Sequence, residues 1–247
     1  MRSPGCEMRS IDVLGIRVDD VTVDEALDFA ASCVAGRAPR QIATVNVEFI
    51  MTAQADAEFR DILNRSALNI PDSAGVLWAA RRFGHPLRGR VAGSDMVEHI
   101  ARRASQAGWK LFLLGAAEGV AQQASNVLQS RYPGLTVAGA FAGSPRRGEE
   151  AEIVERIRSA SPDVLFVAYG APAQDKWIAR NLERLNVPVA MGVGGAFDFI
   201  AGITRRAPRW MRRTGLEWLH RLVHQPWRWR RMRALPRFAW RVLRQSQ

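Results

Sequence analysis

Three stretches of this chain repeat one grammar: a short apolar run, a glycine turn, then a helical pattern. Residues 110–114 lead through a turn at 115–119 into a helix over 120–132. Residues 163–169 lead through Gly170-Ala171-Pro172 into a helix over 173–185. Residues 189–193 lead through Gly194-Gly195 into a helix that begins at Ala196. Apolar runs this short, each followed by a helix, require parallel pairing, because crossover helices then cover both faces of the sheet. Every strand-to-helix turn of such a sheet lies at one edge, and ligands bind in the crevice there. Asp72, Gly115, Gly170 and Gly194-Gly195 are therefore expected near one another, although they are distant in sequence.

The first half of the chain fits the same plan. Thr22-Val23-Asp24-Glu25 is a capping box that opens a helix through Ala35. A strand is expected over 41–47, a helix over 48–64, a strand over 67–70 and a helix over 76–83. A further helix is expected over 94–107, with Ser94 as its cap and Gly108 as its stop. The fold class is α/β: a Rossmann-like parallel sheet core with helices on both faces, plus a basic helical C-terminal appendage.

The appendage is separated by charge. Residues 204–247 hold 13 arginines, 5 tryptophans and one acidic residue, Glu217, a net +12 against +11 for the whole chain, so residues 1–203 net −1. The division expected is a catalytic core over 1–203 and an Arg/Trp-rich, membrane-associating appendage over 204–247. Arginine clusters bind phosphate or anionic head groups, and tryptophan favours the membrane–water interface. No stretch reaches the ~18 apolar residues of a membrane span, so the expected contact is peripheral. No basic-then-apolar N-terminal run resembles a secretory signal. The two cysteines, Cys6 and Cys33, lack metal-site spacing and suit a reducing, cytoplasmic setting.

Several residues carry candidate chemistry, each with a plainer role beside it. Glycine turns at helix starts, including Gly170, Gly194 and Gly195, leave backbone N–H groups free for phosphate, or simply make tight turns. Thr44 and Asn46 share a face at the end of a strand, where they could grip a sugar or phosphate or satisfy their own turn. Asp72, after Ile70-Pro71, suits a general base toward an acceptor hydroxyl, or the N-cap of the next helix. Asp198 could bind a base or ribose, or face its helix dipole. Gln174, Asp175 and Lys176 open a helix at the ligand edge. Arg90, followed by Gly93, could clamp a diphosphate or be a surface arginine. His85, His99, His220 and His224 make no metal triad, and no Asp-x-Asp pair is present to hold Mg²⁺ beneath a diphosphate. No metal and no cofactor are expected.

These pieces, in this order, resemble the WecG/TagA/CpsF family of bacterial glycosyltransferases, glycosyltransferase family 26. The likeness rests on Thr44-Val45-Asn46, Pro71-Asp72-Ser73-Ala74-Gly75, Arg90-Val91-Ala92-Gly93-Ser94-Asp95, Gly170-Ala171-Pro172-Ala173-Gln174-Asp175-Lys176-Trp177 and Gly192-Val193-Gly194-Gly195-Ala196-Phe197-Asp198. Arg206-Ala207-Pro208 and Gly215-Leu216-Glu217-Trp218 with Arg221 extend it to about Arg231. The resemblance implies an inverting, metal-independent transfer from a UDP-sugar to a polyprenyl-diphosphate-linked saccharide, at the inner face of the bacterial plasma membrane, in surface or exopolysaccharide biosynthesis. It implies Asp72 as general base, with Thr44, Asn46 and Gln174 as further active-site residues. It implies phosphate contacts from Arg90, Arg221, Arg228 and Arg231, and Asp198 near the nucleoside. Two positions depart from the family: Asp72-Ser73 replaces Asp-Gly, and Gln174-Asp175 replaces Gln-Glu. The chain after Arg231 has no assigned role.

The sugar is open among N-acetylmannosamine, its uronic acid, glucose and glucuronic acid. The partners expected are the UDP-sugar, the lipid-linked acceptor and an anionic membrane surface, without nucleic acid; a homo-oligomer is left open. Two other classes fit the composition: a membrane-docking scaffold of the same fold without activity, and a nucleic-acid-binding protein whose tail grips phosphates and stacks bases.

Overall fold

Strands β3 (Arg40–Val45), β4 (Leu68–Pro71), β5 (Lys110–Gly115), β6 (Thr136–Phe141), β7 (Val164–Ala168) and β8 (Val189–Gly192) form one six-stranded sheet in the order β4-β3-β8-β7-β5-β6. All five pairings are parallel. The computed structural model describes residues 8–208, Met211, Leu219, Leu222 and 232–245.

Period-2 alternation divides the strand side chains between two cores. Ile42, Leu68, Ile70, Phe166 and Met191 face helices α1 (Val23–Gly36), α5 (Gly93–Ala107), α6 (Val120–Arg131) and α9 (Ala196–Ile200). Ala43 and Val45 face α2 (Val47–Ala53), α3 (Ala57–Arg65) and α4 (Ala74–Arg82) on the other side. Leu165, Val167 and Ala190 continue that side against α7 (Glu150–Ala160) and α8 (Ala173–Leu185). Burial on both faces is what the apolar runs required.

The capping box forms as expected: the Thr22 side chain accepts from the Glu25 N–H, and Glu25 accepts from the Thr22 N–H. The helix expected over 48–64 is instead two helices. Asn46 caps α2, and Asp56 caps α3 by accepting from the Phe59 N–H at 3.0 Å. Val47 is therefore helical, and the strand before it ends at Val45. Ser94 does not cap α5, whose cap is Ala92 with no side-chain bond; Gly108 does stop the helix in the left-handed conformation.

Three further pieces accompany this frame. An antiparallel hairpin, β1 (Ser10–Val13) and β2 (Ile16–Asp19), buries Ile11, Val13, Ile16 and Val18. It also covers the edge strand β4, because the Asp19 carboxylate accepts from the Asn69 N–H at 2.7 Å. Strand β6 and helix α7 extend the other end of the sheet. In the tail, α10 (Ala234–Gln245) packs on α2 and α4 through buried Phe238 and Val242.

Candidate active site

Because the sheet is parallel throughout, Asn46, Asp72, Gly170 and Gly194 all follow carboxyl ends of strands on one edge. Strands β4, β3, β8 and β7 are consecutive, so these four turns are neighbours. Gly115 shares the edge but ends β5, four strand spacings or roughly 19 Å from β4. Its φ is +104°, and an added Cβ would meet the Ala168 backbone at 2.8 Å. Close strand-end packing accounts for that glycine, and the expectation that it lies beside Asp72 is not met.

Asp72 follows β4, and its N–H donates to the Val45 carbonyl at 2.8 Å. The next helix is capped not by Asp72 but by Ser73, at φ −139°, whose side chain accepts from the Val76 N–H. The plainer role for Asp72 therefore falls to its neighbour. The same geometry explains the first departure from the family pattern: this position needs no positive φ, so a serine fits. Arg90 is placed beside this turn by a bond from the Val91 N–H to the Pro71 carbonyl at 2.9 Å.

Thr44 and Asn46 part company. Thr44 is buried, and its hydroxyl donates to the Gly192 carbonyl at 3.4 Å. Its methyl carbon lies 2.6 Å from where a Cβ on Gly93 would sit, so α5 approaches the crevice only because residue 93 is glycine. Asn46 turns to cap α2, accepting from the Phe49 N–H at 3.0 Å.

Gln174 is buried, and its side-chain oxygen accepts two backbone bonds, from Gly170 N–H at 3.2 Å and Gly194 N–H at 2.9 Å. It therefore ties the β7 and β8 turns to each other, and the Gly170 and Gly194 N–H groups, expected to be free for phosphate, are taken by this side chain. Both glycines have positive φ, +77° and +53°. Asp198, half-buried in the first turn of α9, stands close to Gly195, and its carbonyl accepts from the Thr204 N–H at 3.1 Å.

The other two residues that open α8 turn away from the crevice. Lys176 pairs with Asp56 at 2.8 Å and Glu58 at 2.6 Å on α3. Asp175 is fully buried, and neither carboxylate oxygen has a hydrogen-bond partner. Burial pushes its pKa up to about 7; the Gln174 and Gln41 amides, near but outside normal hydrogen-bond geometry, pull weakly the other way.

At the root of the tail, Arg206 pairs with Asp95 at 2.5 Å and donates to the Ser94 hydroxyl at 2.8 Å. Ser94 is thus a partner of the tail and not a helix cap. Arg221, Arg228 and Arg231, with Glu217, His220 and His224, lie outside the described residues. Among the described residues no cluster of three His, Cys, Asp or Glu side chains could hold a metal ion, and no helix is long and apolar enough to cross a membrane.

A cavity of about 320 Å³ adjoins this edge, lined by residues of α2, Ala171 and α10. Arg233 and Arg237 stand at it, two residues to which the sequence motifs assign no role. The signal was the apolar spacing of Phe238 and Val242, four apart, which implies an amphipathic docked helix.

A parallel α/β sheet with an aspartate, an arginine and glycine turns gathered at its carboxyl edge has the form of a group-transfer enzyme. The chain belongs to the glycosyl transferase WecG/TagA/CpsF family, whose model matches residues 11–247, and it is a glycosyltransferase. It is 35% identical over 206 residues to an N-acetylglucosaminyldiphosphoundecaprenol N-acetyl-beta-D-mannosaminyltransferase of Bacillus subtilis strain 168, covering 83% of this chain and 80% of that protein. A protein of the same name from Staphylococcus aureus strain MW2 is 29% identical over 234 residues, 94% of this chain and 91% of the relative.

Proposed function

We propose that this enzyme transfers an N-acetylmannosamine-type sugar from a UDP-sugar to an N-acetylglucosaminyl-diphospho-polyprenol, with inversion and without a metal. The observation that carries the reading is the Asp72 turn: a carboxylate at the crevice edge whose helix-capping duty is taken by Ser73, in a chain whose relatives bear that activity in their names. Those names favour the N-acetylmannosamine type among the sugars that the sequence leaves open.

In this mechanism Asp72 takes the proton of the acceptor hydroxyl. The hydroxyl oxygen attacks the anomeric carbon from the face opposite UDP, and the carbon–oxygen bond to the diphosphate breaks with its electron pair. The charge gathering on UDP is met by fixed cations, Arg90 first, with Arg221, Arg228 and Arg231 from the tail as further candidates. Cationic side chains thus do the work a divalent ion does elsewhere. Gln174 acts as a positioning residue, holding the Gly170 and Gly194 amides in place, and Asp198 is the candidate contact to the nucleoside.

The lipid-linked acceptor places the reaction at an anionic surface, and the inner face of the plasma membrane is the proposed location. Helix α10 supports peripheral contact, since Trp240 and Leu243 are exposed and the Arg244 guanidinium stacks on Trp240 at 3.9 Å. The test is transfer from a panel of UDP-sugars to a short-chain acceptor, with and without anionic vesicles, in the presence of a chelator. Asp72→Asn is expected to lower turnover by roughly 100-fold or more with donor affinity retained. Unchanged turnover would remove Asp72 as the base, and no transfer from any UDP-sugar would overturn the assignment.

A further inference from the structure

We propose that the cavity between α2, the β7–α8 turn and α10 is a binding pocket for a sugar phosphate, the phosphorylated N-acetylhexosamine head of the acceptor, with Arg233 and Arg237 as its phosphate contacts. The inference rests on the transferase reading for the identity of that head. The lining joins Glu48, Met51 and Thr52 of α2 with Ala171 of the turn and the two arginines.

Position is the first argument. Helix α2 begins directly after Asn46 at the end of β3, and Ala171 follows Gly170 at the end of β7. The cavity therefore opens on the edge that carries Asp72. Its wall α2 belongs to the core on one face of the sheet, whereas α5 and α9, which carry Gly93 and Asp198, belong to the core on the other. A donor held near Gly194, Gly195 and Asp198 and an acceptor held by α2 and α10 would approach the edge from opposite faces. Attack opposite the leaving group is compatible with such an arrangement.

Chemistry is the second. Arg233 directly precedes α10 and Arg237 lies in its first turn, and both line the cavity. Guanidiniums lining one cavity can bond phosphate oxygens. Thr52 of α2 lines the other wall, where its hydroxyl can bond a sugar hydroxyl. Met51 supplies apolar surface for an acetyl methyl. At about 320 Å³ the space lies at the small end of ligand pockets, ~300–1,000 Å³, which suits one sugar with its phosphate.

The third argument is that α10 is docked by other residues. Phe238 and Val242 are buried, the Phe238 ring lies 6.4 Å from that of Trp78, and Arg241 donates to Gln54 at 2.8 Å. Arg233 and Arg237 remain exposed at the cavity, held in place by contacts they do not make themselves.

The test uses the full chain in neutral detergent micelles. Binding of N-acetylglucosamine 1-phosphate and of UDP is measured by calorimetry, and acceptor and donor KM by transfer assay. For Arg237→Ala, acceptor KM should rise and N-acetylglucosamine 1-phosphate affinity fall by roughly 10-fold, the factor for one lost charge-assisted hydrogen bond. UDP affinity and donor KM should stay within about twofold. Arg237→Lys should recover part of the loss, and Arg102→Ala, which removes an exposed arginine from α5 away from the cavity, should move neither. Unchanged sugar phosphate affinity in Arg237→Ala overturns the pocket. Equal loss of UDP affinity would make it part of the donor site, and an effect seen only with phosphatidylglycerol vesicles would make it a bilayer contact; both overturn the proposal. Arg237-dependent sugar phosphate binding without transfer from any UDP-sugar would sink the proposed UDP-sugar reading and leave the pocket standing.

Discussion

Replacing Asp175 by asparagine should stabilise the protein, by an amount that grows with pH. The carboxyl is fully buried with both oxygens unpartnered, and burial raises its pKa from 3.8 to about 7. The native state then holds a proton that the unfolded chain has released, so stability falls as pH rises through that window. The penalty is absent below about pH 4, reaches roughly 4 kcal/mol near pH 7, and stays constant above it. Asparagine keeps the shape and removes the charge, though its amide also needs partners in the same place. The absolute gain is therefore smaller than the full penalty, but its pH dependence is not. The difference in unfolding free energy, variant minus wild type, should increase by about 3 kcal/mol between pH 5 and pH 8 and then level off. Urea unfolding at four pH values in that range, with Asp61→Asn on the exposed face of α3 as control, measures it. A difference that does not change with pH would refute the argument, because it would mean that the native carboxyl ionises normally and therefore has a partner or water.

Three other changes test the frame of the site. Gln174→Ala leaves the half-buried Gly170 and Gly194 N–H groups without their acceptor, so it should lower stability by about 1–3 kcal/mol and weaken UDP binding; unaltered UDP affinity in calorimetry would exclude the bracing role. Gly93→Ala drives a methyl into Thr44, for a loss of about 1–3 kcal/mol, and adding Thr44→Ser, which deletes the methyl and keeps the hydroxyl, should recover most of the melting temperature. Phe238→Ala should undock α10 and expose 232–245 to limited proteolysis while the sheet melts as before; protection equal to wild type would show that the helix is held elsewhere.

How much of this was legible in the sequence follows from how local each determinant is. The capping box at Thr22 and the glycine stop at Gly108 are set by a few adjacent residues, and both form as read. The split between α2 and α3 was local too: apolar positions 49, 50 and 53 are followed by 59, 62 and 63, a slip that no continuous helix tolerates, and Asp56 stands where the new cap is needed. The site was legible in its parts and less so in their duties. Asp and Ser rank alike as caps, so nothing local decides between Asp72 and Ser73; the decision belongs to the backbone, held by the Asp72 N–H bond to Val45. Gln174 could be placed at the ligand edge, but its bond to Gly194 spans twenty residues and depends on β7 and β8 being neighbours. Asp175 lies one position further round the helix, and only the packing of α8 against β3 and α3 makes it buried.

The docking of α10 also bears on why the charge of this chain is concentrated in one segment. A tail that served only to recruit the protein to an anionic surface would act at the end of any tether, and would need no seat on the body. Here it is fastened at two places: by Arg206 to Ser94 and Asp95 at its root, and by Phe238 and Val242 to α2 and α4 near its end. Both fastenings border the crevice, for α4 starts two residues after Asp72 and α2 directly after Asn46. Electrostatic attraction in physiological salt decays within about 8 Å, so arginines tethered far from the reacting diphosphate would do nothing for it. Fastening the tail at these two places sets Arg206, Arg233 and Arg237 at the edge where Asp72 stands, as the proposed transfer requires, whereas the body is net −1 over 203 residues.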